Sequence, residues 1–312
     1  MSDTHKLVTI FGGGGFIGRY AAEAFLKSGV RLRIAERNPK SAYKLQPLGS
    51  VGQVALTSAD ITRPDTVARA VEGADAVVNL VGIFNGDLEA VHVDGARNVA
   101  EEAKKAGAKA VVHISAIGAD PAAPSRYGST KGRGEDAVRE AFAGATILRP
   151  SVVFGQEDDF TNRFAQMAAM PVLPVLKPET KFQPVFVSDL GKAIAKAALD
   201  PKTHGSKSYE IGGPEQFSMH DLNRKIAQLA GRNPAVIDLP DAVGSLMSKF
   251  GWLPGAPMTG DQWIMLQSDN VVSDGAATLA DMGIAPTPLG QVAPSWLGRY
   301  KRGGRFADQM PT

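Results

Sequence analysis

This chain of 312 residues predicts an α/β fold: a doubly wound parallel sheet followed by a smaller, irregular C-terminal domain. Three observations lead there. Short, highly apolar runs alternate with helix-like segments through the first half, the texture of strands buried on both faces. Crossovers between such strands are right-handed, so their helices wind onto both faces of the sheet. After Pro150 the alternation gives way to proline-rich, irregular sequence.

The strands are predicted at Leu7–Phe11, Arg31–Ala35, Val54–Leu56, Ala76–Val81, Ala110–Ser115 and Thr146–Leu148. Helices fill Ile17–Lys27, Pro64–Val71, Val91–Ala106 and Ser129–Ala141. Gly29 closes the first helix, and Asp65 and Thr66 sit in the first turn of the second. Beyond Pro150, "MAAMPVLPVLKPETKFQPVF" reads as loop and short strand, and Ser188–Leu199 as a capped helix. Residues 1–155 are expected to form the first domain, with residues 183–212 returning to it. Residues 156–312 make the smaller domain, which is expected to close over the strand ends, where doubly wound folds bind ligands.

Composition narrows the chemistry. Hydrophobic residues make up 44% and charged residues 21%, ordinary for a globular protein. A net charge of +2 provides no basic field for nucleic acid. The absence of cysteine excludes disulfides, thiolate catalysis and sulfur-ligated metal. His5, His92, His113, His204 and His220 are scattered without ligand spacing, so no metal site is predicted. No apolar run approaches bilayer length, and the first residues lack signal-peptide and transit-peptide patterns. A bacterial cytoplasmic location is expected, peripheral at most to a membrane.

Function enters with "VTIFGGGGFIGRY", where four glycines separate the first strand from the first helix. Gly13, Gly15 and Gly18 fit G-x-G-x-x-G, and Gly12, Gly15 and Gly18 fit the related G-x-x-G-x-x-G. Glycines at this spacing give a tight turn, room for a pyrophosphate and close helix–strand contact. The helix starting near Phe16 and Ile17 offers amides and a positive dipole end to that anion. The fold is therefore expected to be Rossmann-type, with a bound dinucleotide. Glu36 lies 18 residues beyond Gly18, where a ribose-binding acid stands in such folds, and favours NAD(H). Arg37 follows and is suited to a 2′-phosphate, which favours NADP(H). Both nucleotides stay open. After the next two strands, "SADIT" offers Asp60 and Ile61 to the adenine, and "NLVG" offers Leu80, Val81 and Gly82 to the ribose.

These positions, with "YGSTK" at Tyr127–Lys131, resemble the extended and atypical branches of the short-chain dehydrogenase/reductase superfamily. The segments "ILRPSVVFG", with Pro150, "QPVFVSDLGKAI" and "YEIGGPE" continue the likeness. More specifically, "LQPLGSVGQV", "SRYGSTKGRGE", "FGQEDDFTNRFA", "DQWIMLQSDNVVS" and "MGIAPTPL" are similar in order to the nucleotide-binding accessory subunit of respiratory complex I and its bacterial relatives. The resemblance implies a tightly held NADP(H), complex I subunits as partners, and a role in assembly or stability rather than turnover. It also implies that Tyr127 and Lys131 contact the nucleotide, as does Pro150.

In working members of the superfamily, a tyrosine exchanges a proton with the substrate while the nicotinamide exchanges a hydride. Lysine at i+4 is expected to lower the tyrosine pKa and to bind ribose, and Tyr127 and Lys131 have that spacing. The third partner, a hydroxyl that steadies the substrate oxygen, is lacking where Ala116 stands. Ser115 is the nearest candidate and is expected to be structural. Weak or no turnover is expected, the alternative being an active NAD(P)H-dependent reductase, dehydrogenase or epimerase on a small carbonyl or sugar-like substrate, to which Tyr127 and Lys131 point. Three other features carry weaker expectations. Asp158 and Asp159 read as a solvated turn; "RYKRGGR" at Arg299–Arg305 reads as a basic tail that could meet headgroups; "GSLMSKFGWLPGAPM" reads as a lid or a partner surface.

Overall fold

The computed structural model describes residues 6–250 and 258–303. The chain folds into two compact units. The first contains the chain up to Pro150, together with Val187–Ile211 and Asp274–Ala285. The second contains Ser151–Phe186, Gly212–Ser273 and the chain from Pro286.

The first unit begins β1 (Leu7–Phe11), α1 (Phe16–Lys27), β2 (Arg31–Glu36), β3 (Val54–Ser58), α2 (Pro64–Val71) and β4 (Ala76–Asn79). It continues α3 (Gly95–Lys105), β5 (Ala110–Ile114), α4 (Arg126–Ala141) and β6 (Thr146–Pro150). A further strand, Ser208–Ile211, joins the opposite side of β6, giving seven strands among the described residues. The order runs Ser208–Ile211, β6, β5, β4, β1, β2, β3, and every neighbouring pair is parallel. Right-handed crossovers then place α1 with helix Val187–Leu199 on one face, and α2, α3 and α4 on the other. All five residues of β5 and all four of β4 are buried, as strands covered on both faces require.

The chain order reverses beside β1, which has β2 on one side and β4 on the other. Ligands bind such sheets at this switch point, outside the carboxyl ends of the strands. The strand and helix positions follow the sequence closely, and β1 and α2 have the predicted bounds. Three departures have local causes. Strand β4 stops at Asn79, because the Asn79 side chain accepts the Val81 amide and turns the chain. Helix α4 starts three residues early, at Arg126, because Ser125 caps it by accepting the Gly128 amide. A 3₁₀ segment at Pro39–Leu48, with a proline inside it, had no periodic signal.

The second unit has its own core, formed by Phe154, Leu222, Ile226, Trp296 and Leu297 among others. Its sheets are two-stranded ribbons, and Val172–Leu176 pairs in parallel with Ala235–Leu239. Here the "QEDD" expectation is corrected. Asp158 is buried and caps the helix Asp159–Met167, accepting the amides of Thr161 and Gly155 and the Thr161 hydroxyl. Burial holds its carboxyl above the ordinary value, and those hydrogen bonds offset only part of that rise. In the tail, Arg299 and Tyr300 bond to Asn162, whereas Gly304 and Arg305 lie outside the described residues. Within "GSLMSKFGWLPGAPM", Gly244–Lys249 is helical, and residues 251–257 lie outside the described residues.

One buried charge ties α4 to β6. Glu135 is fully buried and accepts from the Arg149 guanidinium at two positions, 2.8 and 2.7 Å, and from Arg139 at 2.8 Å. Glu135→Gln should therefore cost about 2 kcal/mol, since it leaves two guanidinium groups without their carboxylate. Urea midpoints of the variant and the parent measure that loss.

Candidate functional site

The residues singled out from the sequence, in so far as they gather, do so at the carboxyl ends of β1 to β6. The turn after β1 opens with Gly12 at φ +76, in the left-handed region, donating its amide to Ala35 O at 3.2 Å. Gly15 is exposed, is the N-cap residue of α1 and donates to Gly12 O at 3.2 Å. No side chain caps α1, so its first-turn amides, including those of Phe16, Ile17 and Gly18, are left to an external acceptor. Gly13 and Gly18 are packing glycines. A Cβ on Gly18 would lie 2.3 Å from Gly13 O, and one on Gly13 would lie 2.9 Å from Ile34 Cγ2. At Gly15 the nearest atom to such a Cβ is Gly12 O at 3.3 Å, so the space above this turn is bare main chain. That is a cradle matched to a dinucleotide pyrophosphate.

Strand β2 ends in Glu36, whose Oε1 accepts the Gly14 amide at 2.6 Å. The carboxylate thus stands at the glycine turn itself. Arg37 is exposed, and its charge acts on Asp60. Burial raises the Asp60 carboxyl, but the Thr62 amide and hydroxyl, with Arg37 and Arg63, outweigh it and hold the carboxyl below its ordinary value. Both Thr62 bonds fall on Oδ1. Ile61 is not brought in by its side chain: it lies in the core against Gly95, and its carbonyl accepts from Asn98. Pro150 is buried, and its carbonyl accepts the Ile117 amide at 3.1 Å.

After β4, Leu80 and Val81 are partly buried and Gly82 is exposed. A Cβ on Gly82 would lie 3.8 Å from His92 Nε2 and 4.0 Å from Lys131 Nζ, which puts this turn against α4. Lys131 is buried and donates from Nζ to Ile114 O at 2.5 Å. Burial pushes its ammonium down to about 8, with Glu135 opposing. Tyr127 does not behave as its spacing predicted. Desolvation of its hydroxyl end pushes the phenol up to about 12, so burial outweighs any lowering by Lys131. The Ser115 hydroxyl is buried with no hydrogen-bond partner, so it makes none of the bonds expected of a structural strand-end serine.

Two aromatic residues at this site carried no motif. Phe84 stacks on Tyr127, with ring centroids 4.7 Å apart and planes 16° apart. His92 meets the same ring edge-on at 5.4 Å. His92 lies 35 positions before Tyr127, and only the fold brings the two together. It sits on a single π turn, Ala90–Asp94, that leads into α3. Its Nε2 accepts the Ile83 amide at 3.0 Å, so its proton is on Nδ1, 2.9 Å from Thr130 Oγ1. Burial and the Lys131 charge push this imidazole down to about 4. Beneath it, burial holds His113 well below its ordinary value; Lys131, His92 and Arg139 add to the effect. The His113 Nδ1 lies 3.3 Å from Asn79 Nδ2.

A family model described as NAD(P)H-binding matches residues 12–169, which span the cradle and both candidate residues of α4. The chain belongs to this NAD(P)H-binding family. Among its relatives, the mitochondrial NADH dehydrogenase (ubiquinone) 1 alpha subcomplex subunit 9 of Mus musculus is 32% identical over 292 residues, covering 91% of this chain and 77% of that protein. A ceramide reductase of Caulobacter vibrioides is 30% identical over 267 residues, covering 82% of each. The solved NADPH-dependent quinone oxidoreductase of Escherichia coli, complexed with NADPH, superposes with a TM-score of 0.76 at 20% identity, covering 93% of this chain and 99% of that one. That last likeness is one of fold. No helix among the described residues is long and apolar enough to cross a membrane.

The buried histidine has a measurable consequence. An unfolded imidazole titrates near 6.5 and His92 near 4, so between those values the unfolded chain binds more protons. Its contribution to stability is complete above pH 6.5 and is lost as pH falls through 4, by up to about 3 kcal/mol. Urea midpoints at pH 7 and pH 4.5 should therefore differ less for His92→Gln than for the parent.

Proposed function

We propose that this chain is a nucleotide-holding accessory or assembly subunit of the respiratory NADH:quinone oxidoreductase, with little or no turnover of its own. The observation that carries the reading is an intact nucleotide cradle beside a tyrosine pushed up to about 12. A phenol so hard to ionise is a poor proton-transfer partner at neutral pH. The names and reach of the relatives support the same reading, since the mouse subunit aligns with 91% of the chain. A position on the cytoplasmic face of a bacterial inner membrane goes with it.

The pyrophosphate would rest on Gly12, Gly13, Gly15 and the first turn of α1. Glu36 would take the adenosine ribose, Asp60 would face the adenine, and Leu80–Gly82 with Lys131 would hold the nicotinamide ribose. When bound, the nicotinamide supplies a hydride donor or acceptor. We favour NAD(H) over NADP(H). The Glu36 carboxylate is held at the glycine turn by the Gly14 amide, where it would repel a 2′-phosphate, and the Arg37 charge acts on Asp60.

Native membranes provide the test. The polypeptide should co-migrate with the NADH-oxidising complex on native gels, and its consistent absence from that band would sink the reading. A second reading, an active reductase of a small carbonyl compound, is favoured by the unspent Ser115 hydroxyl, one residue beyond the Ile114 carbonyl that Lys131 holds. Nicotinamide absorbance followed across carbonyl and alcohol panels, with nucleotide demonstrably bound, separates the two. For the nucleotide itself, Glu36→Ala should shift the ratio of NADP(H) to NAD(H) affinity upward about tenfold, roughly 1.4 kcal/mol, by calorimetry. An unchanged ratio would remove Glu36 from cofactor choice.

A further inference from the structure

We propose that Phe84 is a specificity-determining residue whose ring covers the face of Tyr127 and admits only molecules able to replace that ring, namely planar conjugated ones. The inference goes beyond the subunit reading and holds for a reductase as well.

The first observation is the stack itself. The two rings lie 4.7 Å apart and nearly parallel, yet Phe84 is 56% exposed. An aromatic side chain so exposed gains little from burial, and its ring lies against Tyr127. The second is how the loop is pinned. The Ile83 amide is held by His92 Nε2, and Leu88 is buried at 4% exposure. Between these anchors, residues 84–87 are all exposed, and Gly86 has φ +98, a left-handed conformation open to glycine. The ring can therefore leave Tyr127 while both ends of its loop stay in place. The third is the other neighbour of the Tyr127 ring, His92, which meets it edge-on. With His92 fixed by the Ile83 amide and Thr130, the Phe84 side is the one that can open. The desolvated state of the phenol fits a ring kept covered.

An aromatic pair of this kind favours the closed arrangement by about tenfold, a bias that a ligand ring can overcome. A flat conjugated molecule recovers the same stacking on Tyr127. A saturated ring of equal size does not, and meets the closed form.

Tetranitromethane nitration, mapped to the Tyr127 peptide by mass spectrometry, reads access directly and requires neither a partner subunit nor turnover. Phe84→Ala should raise the rate of Tyr127 nitration at least tenfold, and Phe84→Trp, which can restack, should return it to near the parent rate. Alkaline absorbance titration against Tyr127→Phe should show the phenol falling from about 12 toward its ordinary value in Phe84→Ala. In the parent, acetophenone should slow the residual nitration at least fivefold more than acetylcyclohexane at the same concentration, and that difference should shrink in Phe84→Ala. Unchanged nitration in Phe84→Ala, or Phe84→Trp behaving like Phe84→Ala, would overturn the cover. Equal protection by the two ketones would overturn the preference for planar molecules. Loss of co-migration with the respiratory complex bears only on the subunit reading.

Discussion

The nucleotide side of the first unit depends on the contact between Gly18 and the backbone of Gly13. A single carbon added at Gly18 would fall 2.3 Å from a carbonyl oxygen, and no rearrangement of a flexible side chain could relieve it. This contact presses the start of α1 onto the turn that leaves β1. Once it is made, Gly12 adopts its left-handed conformation and Gly15 lies bare at the helix start. The Gly14 amide is then presented to Glu36, so the end of β2 joins the same turn. A cradle for a phosphate pair follows from sterics alone, before any charged side chain is considered.

The other half of the site is governed by burial. The same desolvation that pushes Tyr127 up pushes Lys131 and His92 down, because in each case water is withdrawn from the charged form. His92 is made neutral, and a neutral imidazole with its proton on Nδ1 can accept the Ile83 amide and so hold the loop that carries Phe84. Lys131 is anchored to the end of β5 instead of being free to swing. These are the marks of a rigid, dry site. Rigidity suits the retention of a ligand, whereas proton exchange by a phenol needs an ionised form that this environment disfavours.

The family itself accommodates both uses. One relative is named as a subunit of a respiratory enzyme and another as a ceramide reductase, at nearly equal identity to this chain. A shared fold cannot separate them, and the difference has to be sought in a few side chains around the tyrosine. Here those are Ala116, the unpartnered Ser115 and the aromatic cover, none of which alters the sheet beneath.

Much of this was legible in the residues. Alternation of buried strands with helices predicted the sheet, because a strand covered on both faces must be apolar throughout, and glycine spacing located the cradle, because main-chain clearance is a property of residue type. Tyr127 and Lys131 were visible because four residues along a helix bring two side chains together. What lacked a local signature was decided by distant contacts. Asp274–Ala285 joins the first unit through the bond from the Glu210 amide to Ala277 O. His92 and Phe84 reached Tyr127 only when the chain after β4, with the π turn Ala90–Asp94, packed against α4. Periodicity and spacing record what neighbours along the chain can do; the ionisation of a tyrosine depends on which atoms keep water away from it, and those come from elsewhere in the sequence.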